Sequence, residues 1–568
     1  MNVRRKYWIF GMYCLISLPL FSQNVYLELN LNEERGGNPF ARSKSPLEIF
    51  RVIEKAAHDN KVRGIILNIG SNSSDREYLW ELRNALEQFK AGGKKICTFI
   101  SNADMDIYCL ASVADKIVMD ELGTLNMTGY AVGRSYAKQT LEKLGIGVRE
   151  LRYFEYKSAA ETYARDSMSE ADRRQYNDYL DDIFNLTRNT LMISRGWTNE
   201  EFDTILNREF LYSAKGALSR SLVDRIGRRD AVLETVREIE GVDSDPVFVL
   251  YGDSSSSLTD AKIKYNPQRA GGIFSRPPVI AVVYASGQTD MVRGMAALSL
   301  SQTVRELADN KRVKAIVIRV DSPGGSAEAA DYFDEAVRYA KQQKPVVVSM
   351  GQVAASGGYW IAMNASHITA SPYTITGSIG VIASWFYDNG LNGKLGINID
   401  TIKRGEHSDL LTGFLLPHRN LTAQEEERYK NYILDAYDIF IEKAAAGRSM
   451  DKENVEIAAQ GRIFSGTRAF EAGLIDSIGG LSDALRTAQR LAGIPEEKSV
   501  NFREYPEPKF FDKLLERLPM AGVLFKNRKS QTGTASFITD LLLPDADIRY
   551  RMEKNGQVMP ILPLEFSF

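Results

Sequence analysis

Short apolar runs rich in β-branched residues alternate along the chain with stretches of helical periodicity. Ile65–Ile69 and Ile96–Ile100 read as strands buried on both faces, as do Ile316–Val320 and Val346–Met350. Tyr78–Lys90 and Ala327–Lys341 carry apolar residues at three- and four-residue spacing and read as the crossover helices between them. Strand–helix–strand units with continuous apolar strands predict an α/β fold, a parallel sheet with helices on its faces.

The pattern occurs twice, at a constant offset of 251 residues. Val62–Ile69 matches Val313–Val320, Tyr108 falls on Tyr359, Ala111 on Ala362, Ile117 on Ile368 and Gly129 on Gly380. Lys143–Ile146 repeats without a mismatch as Lys394–Ile397, and Glu155 falls on Glu406. A gapless register of this length marks a duplicated domain. The expected division is an export segment at 1–22, a first repeat at 24–250, a linker at 251–277, a second repeat at 278–498 and a tail at 499–568. The linker rests on the polar, breaker-rich run from Asp253 through Pro267 to Gly272.

Composition narrows the function classes. The 568 residues carry 71 Lys+Arg against 73 Asp+Glu, a net charge of -2 that leaves no electrostatic footprint for nucleic acid. Four histidines argue against a His-rich metal site or a His-based triad. Three cysteines exclude a disulfide scaffold, although Cys97 and Cys109 could pair. At the N-terminus, Arg4, Arg5 and Lys6 precede a mostly apolar run from Tyr7 to Phe21. That run reaches roughly 22 Å as a helix, short of a roughly 30 Å hydrocarbon core. It reads as a secretory signal or a short retained anchor, and either places the body of the protein outside the cytoplasm.

Candidate chemistry sits where the two copies differ. In the second copy, the strand ending at Val320 runs into Asp321-Ser322-Pro323-Gly324-Gly325-Ser326, and adjacent glycines there can present backbone N–H groups to an oxyanion. The next strand runs into Ala354-Ala355-Ser356-Gly357-Gly358-Tyr359, which sets a serine hydroxyl at the opening of a helix with room for a substrate. Each could be a plain turn or cap. Together, at the ends of successive strands, they favour catalysis. The first copy has Ser71–Ser74 in place of the glycine turn and Met105 in place of Ser356.

A serine nucleophile needs a base, and His407 is the one histidine near a motif position. In the first copy, Tyr156-Lys157-Ser158-Ala159-Ala160-Glu161 sets a lysine among aromatics and alanines, which reads either as a snorkelling surface lysine or as one whose lost hydration lowers its pKa. Its counterpart in the second copy is Ser408. The copies look complementary, with the nucleophile in one and the base in the other.

Ser322–Gly325, Ala354–Tyr359, Thr376–Gly380 and Tyr156–Glu161 resemble the signal peptide peptidase A (protease IV) family, peptidase family S49, in its long two-repeat form. The resemblance implies tandem ClpP/crotonase-like repeats and a Ser-Lys dyad peptidase that degrades released signal peptides and other short apolar peptides. It implies Ser356 as nucleophile, Lys157 as general base, Ser378 as the group orienting the lysine, and Gly324 and Gly357 as oxyanion-hole donors. A membrane-associated homo-tetramer, with its catalytic domains on the periplasmic side of the inner membrane, is implied as well. The chemistry calls for no metal or organic cofactor. Two other classes share parts of the pattern. A crotonase-type acyl-CoA enzyme needs neither an export segment nor a placed lysine, and a non-catalytic scaffold does not account for the intact second copy.

Overall fold

A computed structural model describes residues 25–31, 45–70, 74–243, 246–250, 258–259, 277–506 and 564–567. The expected export segment, residues 71–73 and most of the expected linker and tail lie outside the described residues.

The first half supplies β1 (Val25–Asn30), β2 (Val62–Gly70), β3 (Lys95–Ala103), β4 (Lys116–Asn126), β5 (Ile146–Arg152), β6 (Leu211–Ser213), β7 (Arg225–Ile226) and β8 (Val247–Leu250). The second supplies β9 (Val279–Ser286), β10 (Val313–Ser322), β11 (Val346–Ala355), β12 (His367–Ala370), β13 (Ile375–Gly377), β14 (Ile382–Asp388), β15 (Ile463–Ser465), β16 (Ser477–Ile478) and β17 (Asn501–Tyr505). A last strand, β18, spans Leu564–Ser567.

One sheet runs β6-β4-β3-β2-β1-β8 with β7 beside β4. The other runs β15-β13-β11-β10-β9-β17, with β12 beside β11 and β16 beside β12. Their central strands are parallel, as buried runs of Ile, Val and Leu require when helices cover both faces. The duplication is visible element by element: β2 and β10, β3 and β11, and the helices Pro46–His58 and Ala297–Asp309 all start 251 residues apart. The tandem α/β organisation read from the sequence is therefore the observed one. One difference concerns the tail. β17 pairs in parallel with β9 from Asn501 to Tyr505, so the second sheet continues past residue 498.

The halves are stacked and interlocked. Ile280, Val282, Ala315, Val317 and Val347 of the second sheet share one core with helices Pro46–His58 and Arg76–Ala91 of the first half. Helix Leu481–Leu491 lies in the same layer. Within this apolar seam, Arg319 on β10 donates to Glu81 at 2.7 Å and to Glu77, both on helix Arg76–Ala91. A second link is the antiparallel pairing of β14 with β5, from Ile382 opposite Arg152 to Asp388 opposite Ile146. Cys97 and Cys109 are both free thiols, so the possible pairing between them is not formed.

Candidate active site

β10 and β11 end side by side, with a register shift between Val320 and Ser322 and the pairing resuming at Ser322 opposite Ala354. Two turns emerge there. The first is Ser322–Gly325, with Gly324 at φ +101° and Gly325 at φ +149°, conformations that L side chains rarely adopt. The second carries Ser356, which is buried and held at φ +60° and ψ -120°. A non-glycine residue in such a region stores strain, which persists where surrounding structure dictates it. Here the Ser356 N–H donates to Gly377 O on β13 at 2.8 Å. Gly358 must lack a side chain, because a Cβ would lie 2.4 Å from Ser322 O. The helix that Ser356 opens, as the sequence suggests, is a short four-residue turn, Gly357–Trp360.

Lys157 comes from the other half. It follows β5 on a loop, and its side-chain nitrogen lies 2.8 Å from Ser356 Oγ. It also donates to Ser378 O at 2.9 Å and to Ser378 Oγ at 3.1 Å. Lys157 is 2% exposed and Ser356 1%. Burial holds the lysine pKa well below its ordinary 10.5, because the charged form loses its hydration. Among the described residues no carboxylate lies within ion-pair distance to restore the charge.

The loop carrying Lys157 is clamped from the second half. Tyr156 N donates to Gln460 O at 2.9 Å, Gly461 N to Ile379 O at 2.7 Å, and Ser378 N to Arg462 O at 2.7 Å. Sequence reasoning missed this Gln460–Arg462 segment, which carries no nucleophile, acid or glycine pair. Its remaining signal is the glycine itself, at φ +79°.

The two turns meet at Gly357, where a Cβ would lie 3.3 Å from Gly324 Cα and 3.1 Å from Thr289 Oγ1. Thr289 is buried, accepts Ser326 N and donates its own N–H to Gly324 O, both at 2.8 Å. The Gly324 N–H rests on Ser322 Oγ at 3.2 Å, a long bond that a better acceptor can displace. The structure thus brings Lys157, Ser356 and Ser378 into one cluster, with Gly324 and Gly357 adjoining it. His407 bonds Glu425 at 2.8 Å in a separate ion-pair group with Arg419 and Asp409. Ser408 is exposed and bonds Gly405 O. In the first half, Met105 opens helix Met105–Ala111 behind an Asp104 cap, so that half holds no serine at the equivalent place.

The profile of peptidase family S49 matches residues 88–243 and 338–495, which fall in the two halves. The chain is 32% identical over 464 residues to the chloroplastic serine protease SPPA of Arabidopsis thaliana, covering 80% of this chain and 67% of that one. It is 30% identical over 483 residues to protease 4 of Haemophilus influenzae, covering 82% and 76%. Against protease 4 of Salmonella typhi the identity is 29% over 504 residues, covering 84% and 76%. On a fold of tandem parallel-sheet units with a buried serine at the strand ends, these matches make the chain a member of peptidase family S49 and a serine-type protease.

Proposed function

We propose that Ser356 and Lys157 form a catalytic dyad that cleaves peptide bonds in short apolar peptides, released signal peptides among them. The observation that carries this reading is the 2.8 Å contact between the buried Lys157 amine nitrogen and Ser356 Oγ. A lysine kept neutral by burial can accept the serine proton, which a hydrated lysine cannot do near pH 7.

In this mechanism, neutral Lys157 takes the proton from Ser356 Oγ as that oxygen attacks the scissile carbonyl. The developing oxyanion is held by the N–H groups of Gly357 and Gly324, the latter released from Ser322 Oγ. Losing one such donor typically costs about a hundred- to a thousandfold in rate. Lys157 then protonates the leaving amine, and water resolves the acyl-enzyme by the same proton route in reverse. Ser378 accepts from the ammonium through two oxygens and fixes its direction.

A tetrameric, membrane-associated form is part of the proposal. Helix Leu481–Leu491 covers the helix pair Pro46–His58 and Arg76–Ala91. The equivalent pair in the second half, Ala297–Asp309 and Ala327–Gln343, leaves Leu298 and Tyr332 each 43% exposed. Helix Arg229–Glu240 is the counterpart of Leu481–Leu491, so repeating the internal packing between copies joins them head to tail. Among the described residues no helix is long and apolar enough to cross a membrane. The attachment proposed is through the apolar run Tyr7–Phe21.

The test is intact-mass labelling with an alkyl fluorophosphonate. One adduct per chain in the wild type, absent from Ser356→Ala and Lys157→Met, is the expected result. Labelling that survives Lys157→Met overturns the dyad, and no labelling of the wild type overturns the peptidase mechanism.

A further inference from the structure

Helix Glu170–Arg195 turns an unusual face to the second half. Asp172, Gln175, Asp178, Tyr179 and Asp182 recur at three- and four-residue spacing, where a packed helix ordinarily presents apolar residues. Asp178 pairs with Arg462 at 2.7 Å, Asp182 with Arg468 at 2.7 Å, and Tyr179 donates to Tyr373 O at 3.0 Å. Gln175 is different, because it touches both sides of the candidate active site at once.

The Gln175 side chain is 2% exposed, and its amide nitrogen lies 3.2 Å from Tyr156 O, 3.1 Å from Ser158 Oγ and 2.9 Å from Asp172 Oδ1. Its amide oxygen accepts Ile463 N at 3.1 Å. This orientation is the one the partners allow, since Ile463 N–H needs an acceptor while the opposite end faces a carbonyl and a carboxylate. Tyr156 and Ser158 are the two neighbours of Lys157. Ile463 lies on β15 opposite Gly377, whose carbonyl holds the Ser356 N–H. One buried side chain therefore ties both flanks of the lysine to the strand pair beneath the serine.

We propose that Gln175 is a positioning residue for the reaction, setting the distance between the Lys157 amine and Ser356 Oγ and keeping water from the amine. This rests on reading Lys157 and Ser356 as base and nucleophile. The charged groups around the loop are Arg134 and Asp172 across Ser158, Arg152 with Glu161 and Arg174 with Glu155 on its own half, and Arg462 with Asp178 from the facing elements. None of them bonds the Lys157 amine, so the loop's hold on the lysine is geometric.

The experiment measures fluorophosphonate inactivation, as kinact and KI across pH, for the full chain and for Gln175→Met, Asp182→Asn, Lys157→Met and Ser356→Ala. Gln175→Met keeps the volume and removes every hydrogen bond. It is expected to lower kinact by about ten- to a hundredfold, the cost of a misplacement near 1 Å, with little change in KI. Its acidic limb is also expected to move to higher pH, as water reaches the amine. Asp182→Asn loosens the same helix face away from the lysine, and should lower the melting temperature without moving the limb. A folded Gln175→Met variant with wild-type kinact and an unmoved limb overturns the proposal. Loss of kinact only in proportion to unfolded protein, with the limb unmoved, overturns it equally. If instead Lys157→Met reacts like the wild type, it is the dyad that fails.

Discussion

Gly461 packs its α-carbon directly onto the backbone of Lys157, so that a Cβ there would lie 2.6 Å from the lysine N and Cα. The contact crosses from the second half of the chain to the first. It fixes how far the lysine can withdraw from Ser356, and it leaves no flexible atom to yield. Gly461→Ala is therefore expected to push the loop away and slow fluorophosphonate labelling by at least about tenfold. The φ of +79° adds a stability cost of about 1 kcal/mol. Gly493→Ala is the control, since Gly493 has φ +66° but open space around it. It should lose similar stability and label at the wild-type rate; equal labelling in both variants would remove the steric argument.

The depressed pKa of Lys157 fixes the sign of two pH effects. Labelling of Ser356 should rise with pH as the lysine loses its proton, on a limb well below 10.5. A profile flat from about pH 5 to 9 would rule out a base titrating in that range. Stability follows the same proton. The unfolded chain binds it up to 10.5, while the native chain releases it earlier, so native stability rises with pH between those two values. The slope there is at most about 1.4 kcal/mol per pH unit. Lys157→Met removes the penalty, so the variant should melt higher than the wild type at neutral pH, with the gap closing toward pH 10.5. Thermal melts across pH decide it, and a gap that widens with pH would contradict a buried neutral lysine.

Much of this arrangement is legible in the sequence, for identifiable reasons. The repeat shows because β2 and β10 are buried on both faces, and burial preserves an apolar run in each copy. Ser356 and the glycine turn show because the tight approaches at Gly325 and Gly358 admit no side chain, which leaves a mark in composition. Lys157 shows because a lysine among aromatics is out of place. Gln175 and the Gln460–Arg462 segment do not show, since they act through backbone groups of residues distant in sequence. The polar stripe from Asp172 to Asp182 is visible, but it reads as a solvated face until the second half is placed against it. β17 likewise falls in the expected tail, because a five-residue edge strand of mixed character has no signature of its own.

Ser356 occupies a backbone conformation suited to glycine, which predicts a dissociation of activity from stability. Ser356→Ala and Ser356→Gly should both fail to label. The alanine variant keeps the strain at φ +60°, whereas the glycine variant relieves it. Ser356→Gly should then be the more stable of the two by about 1 kcal/mol, against the usual order in which glycine destabilises. Urea unfolding of the two inactive proteins measures the difference, and an alanine variant as stable as the glycine one would mean the turn carries no strain.

Arg319, Glu77 and Glu81 form a buried ion cluster in the seam between the halves, and its partners respond unequally. Desolvation pushes Glu77 well above its ordinary 4.5, while Arg319 and the Leu481 N–H draw Glu81 down. Arg319→Met keeps the volume but strands two carboxylates out of water, which should cost about 3–5 kcal/mol near pH 7. Without the guanidinium both carboxyls are raised above their unfolded value. A group raised in this way gives its stability below that value and loses it as pH climbs, so the variant's deficit should shrink toward pH 4.5. The triple variant Glu77→Gln, Glu81→Gln, Arg319→Met carries no buried charge, and most of the lost stability should return in it. A triple variant no more stable than Arg319→Met at pH 7 would show that the cluster supplies specific hydrogen bonds rather than mutual neutralisation.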